Sequence, residues 1–152
     1  MEDQLIKIIL ANTISATDIS KIINEHSDSN ILTGDHIICG LVYRLMNPMT
    51  DKEIEDSLKE SASLFNDEYS SSDNEDDIIN ENDIINENDI TDINEDNINK
   101  LTKIKSNNCN CDICIQTRVC LVNFNNYIPK DELGDKFKNS IIETCKQYNR
   151  YI

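Results

Sequence analysis

The sequence predicts an all-α protein, with a small helical N-terminal unit over 1–65 and a C-terminal helical hairpin with a Cys-rich entry over 101–152. A disordered acidic low-complexity linker over 66–100 separates them. Three observations predict this: apolar residues recurring at i, i+3 and i+4 on both sides, a capping box before one of those runs, and an acidic hexad repeat whose period fits neither helix nor strand.

Leu5, Ile6, Ile8, Ile9 and Leu10 predict a first helix. The Ser15-Ala16-Thr17-Asp18 cluster is expected to interrupt it and cap a second, in which Ile19, Ile22 and Ile23 share a face. Ser27 to Asn30 reads as a loop. Thr33 is the expected N-cap of the next helix, with Ile37, Ile38, Leu41, Val42 and Leu45 as its apolar positions. Asn47-Pro48 ends that helix, because a residue before proline avoids helical dihedrals. Thr50-Asp51-Lys52-Glu53 is a capping box with Met49 and Ile54 in the staple positions, so a helix is predicted from Asp51 to Leu64 with Ile54, Leu58 and Ala62 inward.

From Asn66 the composition changes to Ser, Asn, Asp and Glu. The units Asp77-Ile78-Ile79-Asn80-Glu81-Asn82 and Asp83-Ile84-Ile85-Asn86-Glu87-Asn88 are followed by a degraded copy to Asn94. Asn and Asp compete for the backbone hydrogen bonds that a helix needs, so this stretch is expected to stay hydrated. Its simplest role is a spacer. The alternative is a lure for basic surfaces, with isoleucines as anchors among the acids.

In the last part, Asp112 to Phe124 fits a helical face through Ile113, Thr117, Cys120, Leu121 and Phe124, and also fits a strand alternation; helix is preferred. Pro129 is suited to the first turn of a final helix in which Leu133, Phe137, Ile141, Cys145 and Tyr148 recur. Each ordered unit is near the lower limit for independent stability, so the two can share one core.

Net charge is −15, distributed as −6 over 1–65, −12 over 66–100 and +3 over 101–152. A field of that sign repels phosphate backbones, which disfavours nucleic-acid binding by the whole chain. The apolar N-terminal patch opens with acids and is too short for a signal peptide, and no apolar run reaches bilayer length. A soluble intracellular protein is expected, with its six cysteines as thiols or metal ligands.

One constellation carries chemistry. Cys109, Cys111, Cys114 and Cys120 are the candidate zinc ligands, because thiolates three or fewer residues apart can share one tetrahedral ion. No histidine follows His36, so the fourth ligand has to be Cys120, or Cys145 or Cys39 brought in by folding. The competing readings are free thiols packed as small hydrophobes and a redox pair at Cys111 and Cys114, which lacks the preceding strand such pairs usually have. His36 and Cys39, three apart, read as an exposed imidazole and a buried thiol rather than a dyad. Only Gly34, Gly40 and Gly134 are present, so there is no phosphate loop, and no nucleophile elbow or zincin motif occurs. The expected function is a protein–protein interaction or scaffold module without catalytic activity. A small zinc-stabilised regulatory binding protein is the alternative, and a thiol oxidoreductase the second.

The Asp-Ile-Ile-Asn-Glu-Asn tandem, the Asn/Ile/Asp/Lys bias and the Cys-rich patch beside a helical end resemble the small proteins of mimivirus-like giant DNA viruses. The resemblance implies an infected host cell or a virion as the setting. It assigns no functional residue.

Overall fold

The computed structural model describes residues 2–69 and 100–152. Among them the protein is all-α: α1 (Glu2–Glu25), α2 (Gly34–Met46), α3 (Asp51–Tyr69), α4 (Asp112–Asn123) and α5 (Glu132–Gln147), with a 3₁₀ turn at Phe124–Asn126. Strand is confined to a parallel pair, β1 (Thr102–Lys103) and β2 (Arg150–Tyr151). The linker expected over 66–100 falls, for residues 70–99, outside the described residues, and so does the whole hexad repeat. No described helix is long and apolar enough to cross a membrane.

The expected break at Ser15–Asp18 does not occur, and α1 runs through as one helix. Its polar side chains bond back to the preceding turn instead of competing with it: Asn12 Nδ2 donates to the Ile8 carbonyl (2.8 Å), Thr13 Oγ1 to Ile9 (2.9 Å), Thr17 Oγ1 to Thr13 (2.9 Å) and Ser20 Oγ to Ala16 (2.7 Å). Burial of Ala11, Ala16, Ile19, Ser20 and Ile23 then holds the helix together across the polar cluster.

Thr33 caps α2 as expected, and its backbone N–H donates to His36 Nδ1 (3.1 Å). His36 is therefore a buried capping residue, not an exposed imidazole. Gly40 lies where α2 crosses α1, against the Ala16 carbonyl and Ser20. Asn47 closes α2, its N–H donating to the Tyr43 carbonyl (2.9 Å). The Thr50 box forms in both directions, Glu53 N–H to Thr50 Oγ1 (3.3 Å) and Thr50 N–H to Glu53 Oε2 (2.7 Å). α3 continues past the expected end to Tyr69, and Ala62 is exposed while Ile54 and Leu58 are half-buried.

The ambiguous segment before Phe124 is helical, with Cys114, Thr117, Cys120 and Phe124 buried along one face. α5 starts later than Pro129 suggested: Asp131 is the N-cap and accepts from Gly134 N–H (2.7 Å), leaving Pro129 ahead of the helix. Tyr148, expected inward, is exposed at the C-cap. Asn149 then takes a left-handed φ of 53°, tolerated by asparagine, and turns the chain into β2.

Both ends of the sequence build one core. Ile23, Ile38 and Val42 cluster with Ile104, Phe124, Ile141 and Cys145. Full burial of a side chain such as Phe124 or Ile23 contributes about 1.5–3 kcal/mol. The C-terminal strand pins the entry segment: Ile104 N–H donates to the Tyr151 carbonyl (2.8 Å), and Asp35 Oδ2 accepts from Lys105 N–H (3.1 Å). Those contacts deliver residues 105–111 to the end of α1.

Candidate metal centre

Four side chains meet where that segment crosses the end of α1. His26 stands one residue beyond α1, its N–H closing the last turn onto the Ile22 carbonyl (3.1 Å). Cys111 is the N-cap of α4, and Cys114 lies in that helix's first turn. Cys109 precedes them on the entry segment. His26 Nδ1 is 3.2 Å from Cys111 Sγ, 3.4 Å from Cys109 Sγ and 3.6 Å from Cys114 Sγ, and all four ligand atoms lie within 4.8 Å of one another.

The shell behind these atoms is hydrogen-bonded. Asn107, buried, donates from Nδ2 to the Ile23 carbonyl (2.9 Å) and to Cys114 Sγ (3.1 Å), while its Oδ1 accepts from Cys109 N–H (3.2 Å). Cys111 N–H donates to Cys109 Sγ (3.4 Å). Arg118, one turn further along α4, donates to the carbonyls of Asn107 (2.9 Å) and Cys109 (2.8 Å). One asparagine thus ties α1, the entry segment and a ligand sulfur together, and one arginine holds the loop's carbonyls.

The thiols are electrostatically unequal. The Cys114 backbone N–H at the start of α4 lowers the Cys111 thiol from 9.0 to about 6, helped by bonds to Cys114, His26 and Cys109. Burial raises Cys114 to about 11, against the lowering effect of the Asn107 bond. Around neutral pH the pair therefore keeps one proton between them. A cation bound there would displace it, since a coordinating thiol is deprotonated.

Cys109, Cys111 and Cys114 are thus brought together as the spacing suggested, and Cys120 is not. Six residues along α4 separate Cys120 from Cys114 by about 9 Å of rise, so one ion cannot take both. Cys120 is buried in the core and accepts from Asn47 Nδ2 (3.3 Å); burial raises its pKa. Cys39 and Cys145 are also core thiols, with Cys39 Sγ 3.8 Å from the Lys105 carbonyl. The fourth member is His26, which sequence reasoning missed. It is 83 residues from Cys109, and no local spacing rule reaches across that distance.

Fold and site together define a small α-helical protein with a three-cysteine, one-histidine cluster that can hold a metal ion. No protein-family model, curated protein or solved structure matches the chain.

Proposed function

We propose that this chain is a non-catalytic protein-interaction or scaffold module whose fold is held by a structural zinc ion on His26, Cys109, Cys111 and Cys114. One observation carries the zinc reading: four ligand atoms of the soft and borderline types zinc prefers converge from separate segments. Tetrahedral bonds of about 2.3 Å to sulfur and 2.0–2.1 Å to nitrogen put N and S about 3.5 Å apart. The three N–S distances, 3.2, 3.4 and 3.6 Å, bracket that value.

The set is complete with four protein ligands, as structural sites are, and leaves no position for a substrate. Bound zinc would link α1 to the start of α4, two segments far apart in sequence, and so add to stability by constraining the fold. Arg118 and Asn107 support the ligands in the way outer-shell partners do. A second reading, thiol oxidoreductase, draws on the position of Cys111, a depressed thiol at a helix N-terminus with Cys114 three residues on.

Metal analysis of protein purified without chelator separates the two. The zinc reading expects close to one zinc per chain and, after cobalt substitution, the visible bands of a tetrahedral thiolate site. Zinc well below one equivalent overturns it. Insulin-reduction activity lost in Cys111→Ser would favour the oxidoreductase.

A further inference from the structure

A groove of about 640 Å³ lies at the other end of α1, between the α2–α3 junction and the first half of α5. Its floor and walls are Ile9, Leu45, Met49, Ile54, Leu133 and Phe137. Apolar surface continues beyond it onto Leu5 and Ile6, which are exposed. The volume falls within the range of about 300–1,000 Å³ typical of ligand sites.

The charged residues of the lining are Arg44, Lys130, Lys136 and a single acid, Asp131. In a chain of net charge −15 that local balance is unusual. Asp131 is engaged in capping α5. Arg44 makes its hydrogen bonds to neutral groups, Ser15 Oγ (2.8 Å) and the Asn47 carbonyl (2.7 Å), with Glu53 near enough to feel its charge. Lys136 pairs with Glu132 (2.9 Å), whereas Lys130 pairs with no carboxylate among the described residues. The site therefore suits adjacent aliphatic side chains flanked by acids.

The chain carries that chemistry in tandem, as Asp77-Ile78-Ile79-Asn80-Glu81-Asn82 and Asp83-Ile84-Ile85-Asn86-Glu87-Asn88. We propose that the groove is the docking site for one Asp-Ile-Ile-Asn-Glu-Asn unit of the same chain, isoleucines in the apolar trough and acids toward Lys130 and Arg44. The connection is long enough. Ile54 to Tyr69 spans about 22 Å of helix, and the eight residues to Asp77 reach about 26 Å when extended. The inference goes beyond the metal reading and does not rest on it.

A tethered unit competes with free peptide at an effective concentration on the order of 1 mM. If a unit binds with a Kd on the order of 100 µM, the intact chain weakens a free probe roughly tenfold. The test titrates a fluorescent twelve-residue peptide of two units into the full chain and into a full-length variant carrying Ile78→Ser, Ile79→Ser, Ile84→Ser, Ile85→Ser, Ile90→Ser and Ile93→Ser. The expected result is roughly tenfold tighter binding to the variant, lost again when Ile9→Asp is added. Ile9 is 49% exposed, so circular dichroism of that last protein should match its parent. Equal affinity for chain and variant overturns the proposal, because the chain's own units then do not occupy the groove. Absence of binding to either overturns it, as does binding that survives Ile9→Asp.

Discussion

Replacing His26 with alanine separates the cluster seen in the structure from the all-cysteine set that local spacing suggests. A ligand that binds only the folded state stabilises it by RT ln(1 + [L]/Kd), which is about 2.7 kcal/mol when free zinc is 100 times Kd. For a protein of this size, roughly 4 °C in Tm accompanies each kcal/mol, so chelation should lower Tm by about 10 °C. His26 Nδ1 touches all three sulfurs at 3.2–3.6 Å, so its removal takes one ligand of four. Loss of an outer-shell partner costs 10–100-fold in affinity, and loss of a ligand costs at least about 100-fold. At the same free zinc the stabilisation then drops to about 0.4 kcal/mol, a Tm difference of about 2 °C. Cys120→Ser is the comparison. It disturbs a core thiol and its Asn47 partner, lowering Tm with and without metal alike, and should keep the full zinc-dependent shift. Differential scanning fluorimetry in zinc-buffered and chelated solution reads all three proteins. If Cys120→Ser abolishes the zinc-dependent shift and His26→Ala preserves it, the assignment is refuted.

Four more outcomes follow from the structure. Asn107→Ala removes the donor to Cys114 Sγ and to the Ile23 carbonyl, and should weaken zinc about 10–100-fold in competition with a chromophoric chelator. Gly40→Ala drives a Cβ into the Ala16 carbonyl and Ser20 Oγ; overpacking of about 1–3 kcal/mol exceeds the helix-propensity gain of about 1 kcal/mol, so urea unfolding should show net loss. Gly34→Ala, with open space around the new methyl, should be neutral or slightly stabilising. Cys39 is held protonated by burial, its pKa raised from 9.0 to about 12. The unfolded thiol ionises first, so this group leaves stability intact below pH 9 and erodes it as pH rises from 9 toward 12, by up to about 1.4 kcal/mol per pH unit. Guanidinium midpoints under reducing conditions, wild type minus Cys39→Ala, should fall over that window; a flat difference would contradict it.

What could be read from the sequence is what local chemistry determines. Thr33, Asn47-Pro48 and the Thr50–Glu53 box mark helix ends through bonds within four residues, and all three act as written. The buried face of α4 was legible because Thr117, Cys120 and Phe124 recur at helical spacing, which outweighed the competing alternation. Where reasoning failed, a longer-range term decided. Ser15 to Asp18 looked like a break, yet the α1–α2 contact at Gly40 and the back-bonded hydroxyls keep the helix whole. Pro129 is the exception, a local miss: it looked like a first-turn proline, but Asp131 two residues on offers the better cap. The cluster shows the same division, since three thiols within six residues could be grouped by spacing, while His26 could be recruited only by the tertiary fold. Its position after α1 and beside a loop was visible; what it faced was not.

The two sites divide α1 between them. His26 stands just past its C-terminus, and Ile8, Ile9, Asn12 and Thr13 line the groove from its N-terminal half, about 20–27 Å away along the helix axis. At that distance neither site touches the other's ligand. α4 is also held by contacts outside the cluster, through buried Thr117, Cys120 and Phe124. Loss of an ion from the cluster would therefore free the entry segment and the last turn of α1 first, while the wall formed by Leu133 and Phe137 of α5 would stay fixed by Ile141 and Cys145 of the core. On the two proposals together, a metal-held centre would secure the fold at one end and the groove would receive acidic, aliphatic chain at the other, the arrangement an interaction module requires. Specificity would then be set by the groove's aliphatic width and its lysine and arginine rim, and the cysteines would govern only whether the framework behind it holds.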